Sequence, residues 1–271
     1  MTIASAEKAL RFRSLHEGPR AFLIANAWDA GSARILAGLG FPALATSSGA
    51  HAGTLGRRDG HVTRDEALAH AKAIVEATEL PVSADFENCF ADEAAKAAET
   101  IRLAAGVGLA GCSIEDATRT QLYGFDQSVE RVAAAAKVAR SLPSGFVLTA
   151  RTENFLRGKP DLDDTIRRLQ AFENAGADVL MAPGLPDLDA VRKVCAALKK
   201  PFNFMAGIKG KSFSVAELDA AGVRRVSLAT SLWRAAMSSL IEAAREVKDK
   251  GTFGYIERSL PTPEVAKFMR E

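Results

Sequence analysis

Short apolar runs alternate with longer amphipathic stretches from residue 21 almost to the end of the chain. The runs are rich in Val, Ile, Leu, Phe and Ala, as is typical of strands buried on both faces of a sheet. There are eight of them, at residues 22–25, 43–46, 82–85, 112–115, 146–150, 179–182, 202–205 and 226–229. Between the runs, apolar residues recur at i, i+3 and i+4, which predicts helices. The clearest predicted helices lie at 65–78, 129–141, 161–175 and 188–198.

Eight strand–helix units in about 250 residues match the size and rhythm of a closed (β/α)8 barrel, the TIM barrel. The alternative is an open, doubly wound sheet. A GxGxxG turn after the first strand would favour that sheet, but Gly106, Gly108 and Gly111 precede the fourth strand instead of opening a helix. We therefore predict an α/β chain folded as a TIM barrel with a C-terminal helical extension.

A single domain is predicted for residues 1–271, because no linker, repeat or low-complexity stretch interrupts the alternation. Residues 250–271 exceed what eight units need and are predicted to form a C-terminal extension, with apolar residues and a break at its prolines. Such an extension packs either on a neighbouring subunit or on its own barrel, and the sequence leaves both possibilities open.

Composition and charge narrow the class of partner. The chain has 35 Lys and Arg against 33 Asp and Glu, a net charge of +2, so the basic patch typical of nucleic-acid or membrane-surface binders is missing. We find neither an apolar signal-peptide core nor the roughly 18-residue apolar run of a transmembrane helix. Three cysteines without CxxC spacing indicate packing residues, not disulfides or a zinc site. We expect a cytoplasmic protein that binds a small polar molecule.

Polar side chains gather where the predicted strands end, which is where barrel enzymes carry their active sites. Asp85, Glu87 and Glu115 would place three carboxylates on adjacent strand ends, and keeping all of them ionised needs a cation. Oxygen ligands favour Mg²⁺, with Mn²⁺ as the other choice, over Zn²⁺. Because Mg²⁺ keeps several waters, we expect one direct carboxylate and others acting through water. The alternative is a solvated rim in which the carboxylates pair with Arg57, Arg119 or Arg151.

A second group of strand-end residues suits an anionic substrate. Ser47, Ser48 and Gly49 offer successive backbone N–H groups for a carboxylate or a developing oxyanion. Arg151 would fork onto a carboxylate or phosphate while Glu153 holds it in place, unless the two form only a structural salt bridge.

Two loops are further candidates. The long polar connection of residues 51–61 contains Asp59, and a connection of this length over a barrel mouth is often a lid or a substrate contact. Within it, His51 and His61 are expected at the surface, with proton transfer as the alternative. After the seventh strand, residues 206–212 read AGIKGKS, which predicts either a phosphate-binding loop or a simple turn.

Taken together, the strand-end motifs resemble those of the isocitrate lyase/phosphoenolpyruvate mutase superfamily over roughly residues 22–234. The motifs are NAWD at 26–29, TSSG at 46–49, DFEN at 85–88, SIED at 113–116 and TARTE at 149–153. The resemblance implies a Mg²⁺-dependent enzyme that makes or breaks C–C or C–P bonds in α-oxo or α-hydroxy carboxylates through a pyruvate enolate held on the metal. It also implies a homo-oligomer, a dimer or more commonly a tetramer with exchanged terminal helices.

The resemblance also implies roles for individual residues. By motif position, Asp85 would hold the metal directly, while Glu87 and Glu115 would hold its waters. The implied catalytic residues are Asp59, Glu115 and Arg151. The implied substrate-binding residues are Trp28, Asp29, Ser47, Ser48, Gly49, Arg119 and Arg151.

Three departures from the family pattern narrow the chemistry. Residues 116–124, after the fourth strand, lack the Lys-Lys-Cys-Gly-His lid that isocitrate lyases share, which counts against isocitrate or methylisocitrate cleavage. Residues 88–91 read NCFA where the family usually has Gly-Tyr-Gly, and residues 182–183 are Ala-Pro where phosphonopyruvate-handling members carry His. What remains resembles oxaloacetate decarboxylases and other α-oxo acid lyases, with Arg119 or Tyr123 closing over the substrate.

Three hypotheses follow for the function. The leading one is a Mg²⁺-dependent lyase or decarboxylase of a small α-oxo or α-hydroxy carboxylate. The second is a C–P bond enzyme that resembles phosphoenolpyruvate mutase or phosphonopyruvate hydrolase. The third is a non-catalytic carboxylate binder.

Overall fold

A computed structural model describes residues 3–143 and 145–270 of the chain. Its centre is a closed barrel of eight parallel strands in sequential order, in which β8 pairs with β1. The strands are β1 (Phe22–Ala27), β2 (Ala43–Thr46), β3 (Val82–Asp85), β4 (Gly111–Glu115), β5 (Val147–Arg151), β6 (Val179–Met181), β7 (Phe202–Met205) and β8 (Arg225–Ser227). The predicted TIM barrel is thus confirmed, and the predicted runs 43–46, 82–85 and 202–205 coincide with β2, β3 and β7.

Helices surround the barrel, and most of them bury apolar side chains against it. They are α1 (Ile3–Glu17), α2 (Ala30–Gly38), α3 (Ser48–Thr54), α4 (Arg64–Ala77), α5 (Ala94–Gly106), α6 (Phe125–Ser141), α7 (Leu162–Ala175), α8 (Leu188–Ala197), α9 (Val215–Ala220), α10 (Ser231–Lys250) and α11 (Thr262–Ala266). The four predicted helices correspond to α4, α6, α7 and α8. Side-chain caps fix several starts, as at Thr63, whose hydroxyl accepts from the Glu66 amide while Glu66 binds back to Thr63.

Helix α1 closes the lower end of the barrel. Phe12 is fully buried there in a cluster that includes Ile24 of β1. His16 Nδ1 donates to the Phe12 carbonyl at 2.8 Å, and its Nε2 accepts from Arg225 of β8 at 3.3 Å. Burial lowers the pKa of His16 to about 3. Arg225 also donates to Asn203 and Thr149, at 2.8 and 2.9 Å, so its partners inside the barrel are neutral.

The C-terminal part is more exposed than the rest of the described chain. No side chain of helix α10 is fully buried, although Leu232 packs on the barrel core, and Leu240 is 60% exposed. A 3-10 turn at Gly254–Arg258 and the short α11 follow, after which Phe268 packs on Gly38 of α2. Within the described ranges, no helix is long and apolar enough to cross a membrane.

Candidate functional site

An inner cavity of about 330 Å³ opens at the carboxyl ends of the strands. Ser47, Ser48 and Gly49 form part of its wall. The charged residues of the wall are Asp59, Asp85, Glu87, Glu115, Glu153, Arg119, Arg151 and Arg157. Five carboxylates face three guanidinium groups, a net charge of −2 when all are ionised, so the cavity favours a divalent cation.

Asp85 is the meeting point of three neighbouring strand ends. Its Oδ2 accepts from the amide and the hydroxyl of Ser48, at 3.3 and 3.0 Å, and its Oδ1 accepts from the Ser113 hydroxyl at 3.4 Å. Arg151 Nη1 lies 4.0 Å from Asp85 Oδ1. The structure therefore brings together the predicted metal ligand and predicted substrate-binding residues.

Glu115 and Arg151 end adjacent strands and are paired in register. Arg151 Nε lies 2.5 Å from Glu153 Oε1 and 3.5 Å from Glu115 Oε2, so Glu153 fixes the guanidinium. This contact is common to the predicted substrate clamp and to the alternative of a structural salt bridge. Burial raises the pKa of Glu115 well above its ordinary value, with Arg151 opposing and Glu153 reinforcing the shift. A cation beside Glu115 would favour the charged carboxylate and so lower this pKa again.

Glu87 lies next to Asp85 in the same cavity. Burial, then the charges of Asp85 and Asp59, raise the pKa of Glu87 to about 7. In the described part of the chain, no group of three His, Cys, Asp or Glu side chains is arranged so that all three could bind one metal ion directly. The arrangement fits a cation that touches one carboxylate and reaches the others through water, as Mg²⁺ does.

The loop after Glu87 adopts an unusual backbone. Glu87, Cys89 and Phe90 all have positive φ, at 49°, 57° and 59°. Arg131 of α6 stabilises this backbone conformation, because its guanidinium donates to the carbonyl groups of three loop residues, Asn88, Ala91 and Asp92. This loop is the NCFA segment, and it shows how residues other than glycine are held in a left-handed conformation.

Part of the long connection after β2 is helical. Ser47 caps α3 through its side chain, which accepts from the Ala50 amide. At Gly49, a β-carbon would lie only 3.2 Å from Asp59 Oδ2. Burial, then the charge of Asp85, raise the pKa of Asp59, while a hydrogen bond from Ser48 opposes the shift. Asp59 therefore lies against the predicted substrate-binding amides.

The expected surface position of His51 is wrong, whereas His61 is exposed as expected. His51 is buried and stacks on His70 with ring centroids 3.7 Å apart. Neither ring nitrogen of His51 has a hydrogen-bond partner among the residues that the structure describes, and burial lowers the pKa of His51 to about 4. The short helix α3, which the sequence did not predict, turns this side chain inward.

The loop after β4 is a tight hairpin in which the Thr118 amide donates to the Gln121 carbonyl. Arg119 lines the inner cavity and packs on Gly60, across from its own loop. Tyr123 does not close over the cavity, contrary to the expectation. Its hydroxyl instead donates to Asp92 and accepts from Asn88, both in the loop after β3.

Some predicted residues lie apart from the cavity. Asp29 caps α2 through the Ser32 amide at 2.6 Å, and the Trp28 carbonyl binds His70, so their predicted substrate contact stays a prediction. Donors of the loop at residues 206–212 already have protein partners: Lys211 donates to the Gly184 carbonyl of the loop after β6, and the Gly207 amide donates to the Ser212 hydroxyl. These contacts favour the turn over phosphate binding.

Arg157 lines the cavity four residues after Glu153, although the sequence pattern does not predict it. Its position on a loop beyond β5 carries no periodic signal, although the i, i+4 spacing from an acidic residue was a usable hint. The sequence pattern also does not predict the buried network at the loop after β4, where Arg168 binds Asp116 at 3.1 Å.

The chain is similar to known proteins in both sequence and structure. The sequence profile of the family described as phosphoenolpyruvate phosphomutase matches residues 12–248. A Burkholderia cenocepacia J2315 protein of known crystal structure is 48% identical in sequence to this chain. The superposition covers 98% of this chain and 97% of that chain, with a TM-score of 0.96. The 2-methylisocitrate lyase of Halalkalibacterium halodurans is 29% identical over 91% of this chain and 84% of its own length. The oxaloacetate decarboxylase of Chromohalobacter salexigens is also 29% identical, over 88% and 84% of the two chains.

Proposed function

Because the chain belongs to the phosphoenolpyruvate phosphomutase family, we propose that it is a Mg²⁺-dependent lyase or decarboxylase of an α-oxo or α-hydroxy carboxylate. The observation that carries the proposal is the inner cavity, in which Asp85 lies between the substrate-binding turn of Ser48 and the guanidinium of Arg151. Relatives named 2-methylisocitrate lyase and oxaloacetate decarboxylase support this class of reaction.

The residues present suit the metal. Asp85 would hold Mg²⁺ directly, and Glu87 and Glu115 would hold its waters, which matches the carboxylate excess of the wall. Mn²⁺ has the same oxygen preference and is expected to substitute. When bound, the ion supplies a Lewis acid that draws electron density toward the α-oxo group of the substrate.

The chain's own residues would then bind and orient the acid. The Gly49 amide is in the first turn of α3, where backbone N–H groups have no partner within the helix, and it suits the substrate carboxylate. The Ser48 amide beside it also donates to Asp85, at 3.3 Å. Arg151, fixed by Glu153, would hold the substrate oxygens on the opposite side. This geometry would align the bond to be broken.

A proton must reach the carbon from which the leaving group departs. Asp59 and Glu115 both line the cavity in which the substrate would be held. Burial raises the pKa of Asp59, which favours the protonated form of this carboxyl group. We assign this proton to Asp59 or Glu115, and the variants Asp59→Asn and Glu115→Gln would tell them apart by the rate of the protonation step.

The test is product formation followed by ¹H and ³¹P NMR, with Mg²⁺ and a panel of oxaloacetate, 2-methylisocitrate, isocitrate, 4-hydroxy-2-oxo acids and phosphonopyruvate. Pyruvate or another oxo acid should appear from one carboxylic acid and be lost in Asp85→Ala. The matched control is Asp189→Ala, an exposed carboxylate of α8 whose removal should change nothing.

Other outcomes would replace the proposal. Turnover of phosphonopyruvate alone would assign the chain to C–P bond chemistry. Binding of Mg²⁺ and oxalate without any turnover would make it a carboxylate binder. Full activity in Asp85→Ala would exclude the proposed metal ligand.

A further inference from the structure

A pocket of about 490 Å³ lies at the lower end of the barrel, beside α1 and opposite the inner cavity. Its wall is formed mainly by the segment between α8 and β7, the segment between α9 and β8, and the buried ring of His16. We infer that this lower pocket binds an organic phosphate with two or more negative charges. The inference does not depend on the proposed function, because the two spaces share no lining residue among those described.

The first argument is the charge of the wall. Among the described residues that line the lower pocket, none is acidic and four are cationic: Arg192, Lys199, Lys200 and Arg224. Arg192 is paired with Asp189 at 2.5 Å. The other three cations have no carboxylate within 4 Å in the described ranges, and the Arg224 guanidinium donates to the carbonyl of its neighbour Val223. Three unpaired cations around one space favour a multiply charged anion.

The second argument is a further positive charge behind the wall. Arg225 is buried, and it is bound by the neutral side chains of His16, Asn203 and Thr149. His16 separates Arg225 from the lower pocket, because its Nε2 accepts from Arg225 while its ring lines the pocket. A buried charge without an opposite charge is costly, and an anion in the pocket would lower that cost.

The third argument is that the backbone around the lower pocket is fixed. Glu173 of α7 accepts from the Lys199 and Lys200 amides at 2.8 and 2.6 Å, so it holds the segment from which both lysines project. At Gly222, a β-carbon would lie 3.0 Å from Cys195 Cβ, so the segment before β8 packs closely on α8. A wall that is ordered before the ligand arrives loses less entropy on binding.

Size and the apolar part of the wall favour an organic phosphate over a single ion. Pockets for small molecules measure roughly 300–1,000 Å³, so 490 Å³ has room for more than a phosphate group. Leu198 and Pro201 also line the lower pocket and would contact the uncharged body of the ligand. The planar guanidinium of Arg224 matches a phosphate group, and lysines bind phosphate as point charges.

Calorimetry tests the inference with two phosphate esters, ribose 5-phosphate and adenosine 5′-monophosphate, which distinguish a sugar phosphate from a nucleotide. The buffer contains EDTA and no Mg²⁺, at a constant ionic strength of about 0.15 M. We expect one site per chain for at least one ester, and weaker binding of inorganic phosphate.

The variants remove charge from exposed positions. Lys199→Gln and Lys200→Gln combined should weaken binding of the ester about tenfold. The matched control combines Lys72→Gln and Lys137→Gln, exposed lysines of α4 and α6, and should bind like the wild type. Ala196→Glu, at an exposed position of the wall, adds an opposite charge and should also weaken binding.

Three results would overturn the inference: neither ester binds the wild type, inorganic phosphate binds as tightly as the esters, or the two double variants bind alike. Displacement of the ester by oxalate with Mg²⁺ would also overturn it, because the ester would then occupy the inner cavity. Failure of the proposed function is distinct, since binding at the lower pocket needs neither Mg²⁺ nor turnover.

Discussion

Gly49 shows how little room the substrate-binding turn leaves for change. A β-carbon there would lie 3.1 Å from Thr230 Cγ2 and 3.2 Å from Asp59 Oδ2, so one of these groups must move. We predict that Gly49→Ala weakens Mg²⁺-dependent oxalate binding about tenfold, since displacements below 1 Å matter at such sites. Isothermal calorimetry would measure this.

Gly31→Ala is the matched control for that substitution. Its β-carbon would meet no atom closer than 3.6 Å, and α2 should gain about 0.5–1 kcal/mol from the better helix former. Unchanged oxalate binding in Gly49→Ala would contradict the close packing of Asp59 against this turn.

The buried histidines predict acid sensitivity. His51 and His16 have folded pKa values of about 4 and about 3, below the ordinary value of 6.5. Between pH 6.5 and 4 the unfolded chain therefore binds more protons than the folded chain, and stability falls as the pH falls. Each histidine contributes a slope of up to about 1.4 kcal/mol per pH unit.

Urea unfolding at several pH values would test this expectation. The slope should be shallower in His51→Phe, which keeps a ring against His70, and unchanged in the exposed control His61→Phe. Identical slopes for the wild type and His51→Phe would show that His51 is protonated without penalty in the folded protein.

Residue types and strand ends were enough to predict which side chains meet at the centre of the candidate site, but not which ones lie at its periphery. Asp85, Glu115 and Arg151 end apolar runs, and in a parallel barrel all such ends meet at one mouth. Arg157 belongs to the site only because its loop folds back over Glu153, and His51 is buried only because α3 forms. Both depend on tertiary packing that periodicity does not encode.

At the level of elements, α6 holds the loop between β3 and α5. Arg131 is fully buried and donates to three carbonyl groups of that loop. We predict that Arg131→Met lowers the free energy of unfolding by about 3–5 kcal/mol, because the buried carbonyls lose their donor, and that it weakens Mg²⁺ binding through Glu87.

Chemical denaturation and a Mg²⁺ titration would measure the two effects. Arg102→Met, on the exposed side of α5, is the control and should alter neither. Loss of stability with unchanged Mg²⁺ affinity would mean that the loop keeps Glu87 in place without Arg131.

The elements missed by the sequence are those without a simple period. Helix α1 carries charged residues toward the barrel as well as toward solvent: Arg13 lies 2.9 Å from Asp178, and Lys8 binds the Thr78 carbonyl. Its apolar stripe is therefore interrupted. Helix α3 is only seven residues long and rich in Gly and Ala, so it gave no amphipathic signal.

For the whole molecule, the exposed apolar residues of α10 and the extension predict self-association. Leu240, Ile241 and Phe253 are 60%, 48% and 57% exposed, more apolar surface than an isolated barrel needs to show. We predict a dimer or tetramer by light scattering, and a smaller species when Leu240→Glu and Ile241→Glu are combined. Lys248→Glu, an exposed charge on the same helix, should leave the mass unchanged. A monomeric wild type would contradict the prediction.

The position of helix α1 at the lower end of the barrel has a consequence for the order in which the fold is completed. Helix α1 is synthesised first, yet His16 meets its partner Arg225 only 209 residues later. At about 5–20 residues per second, the ribosome needs about 10–40 s to supply that partner. During this interval His16 has no Arg225 to bind, so α1 cannot complete its contacts with the barrel until β8 has been synthesised.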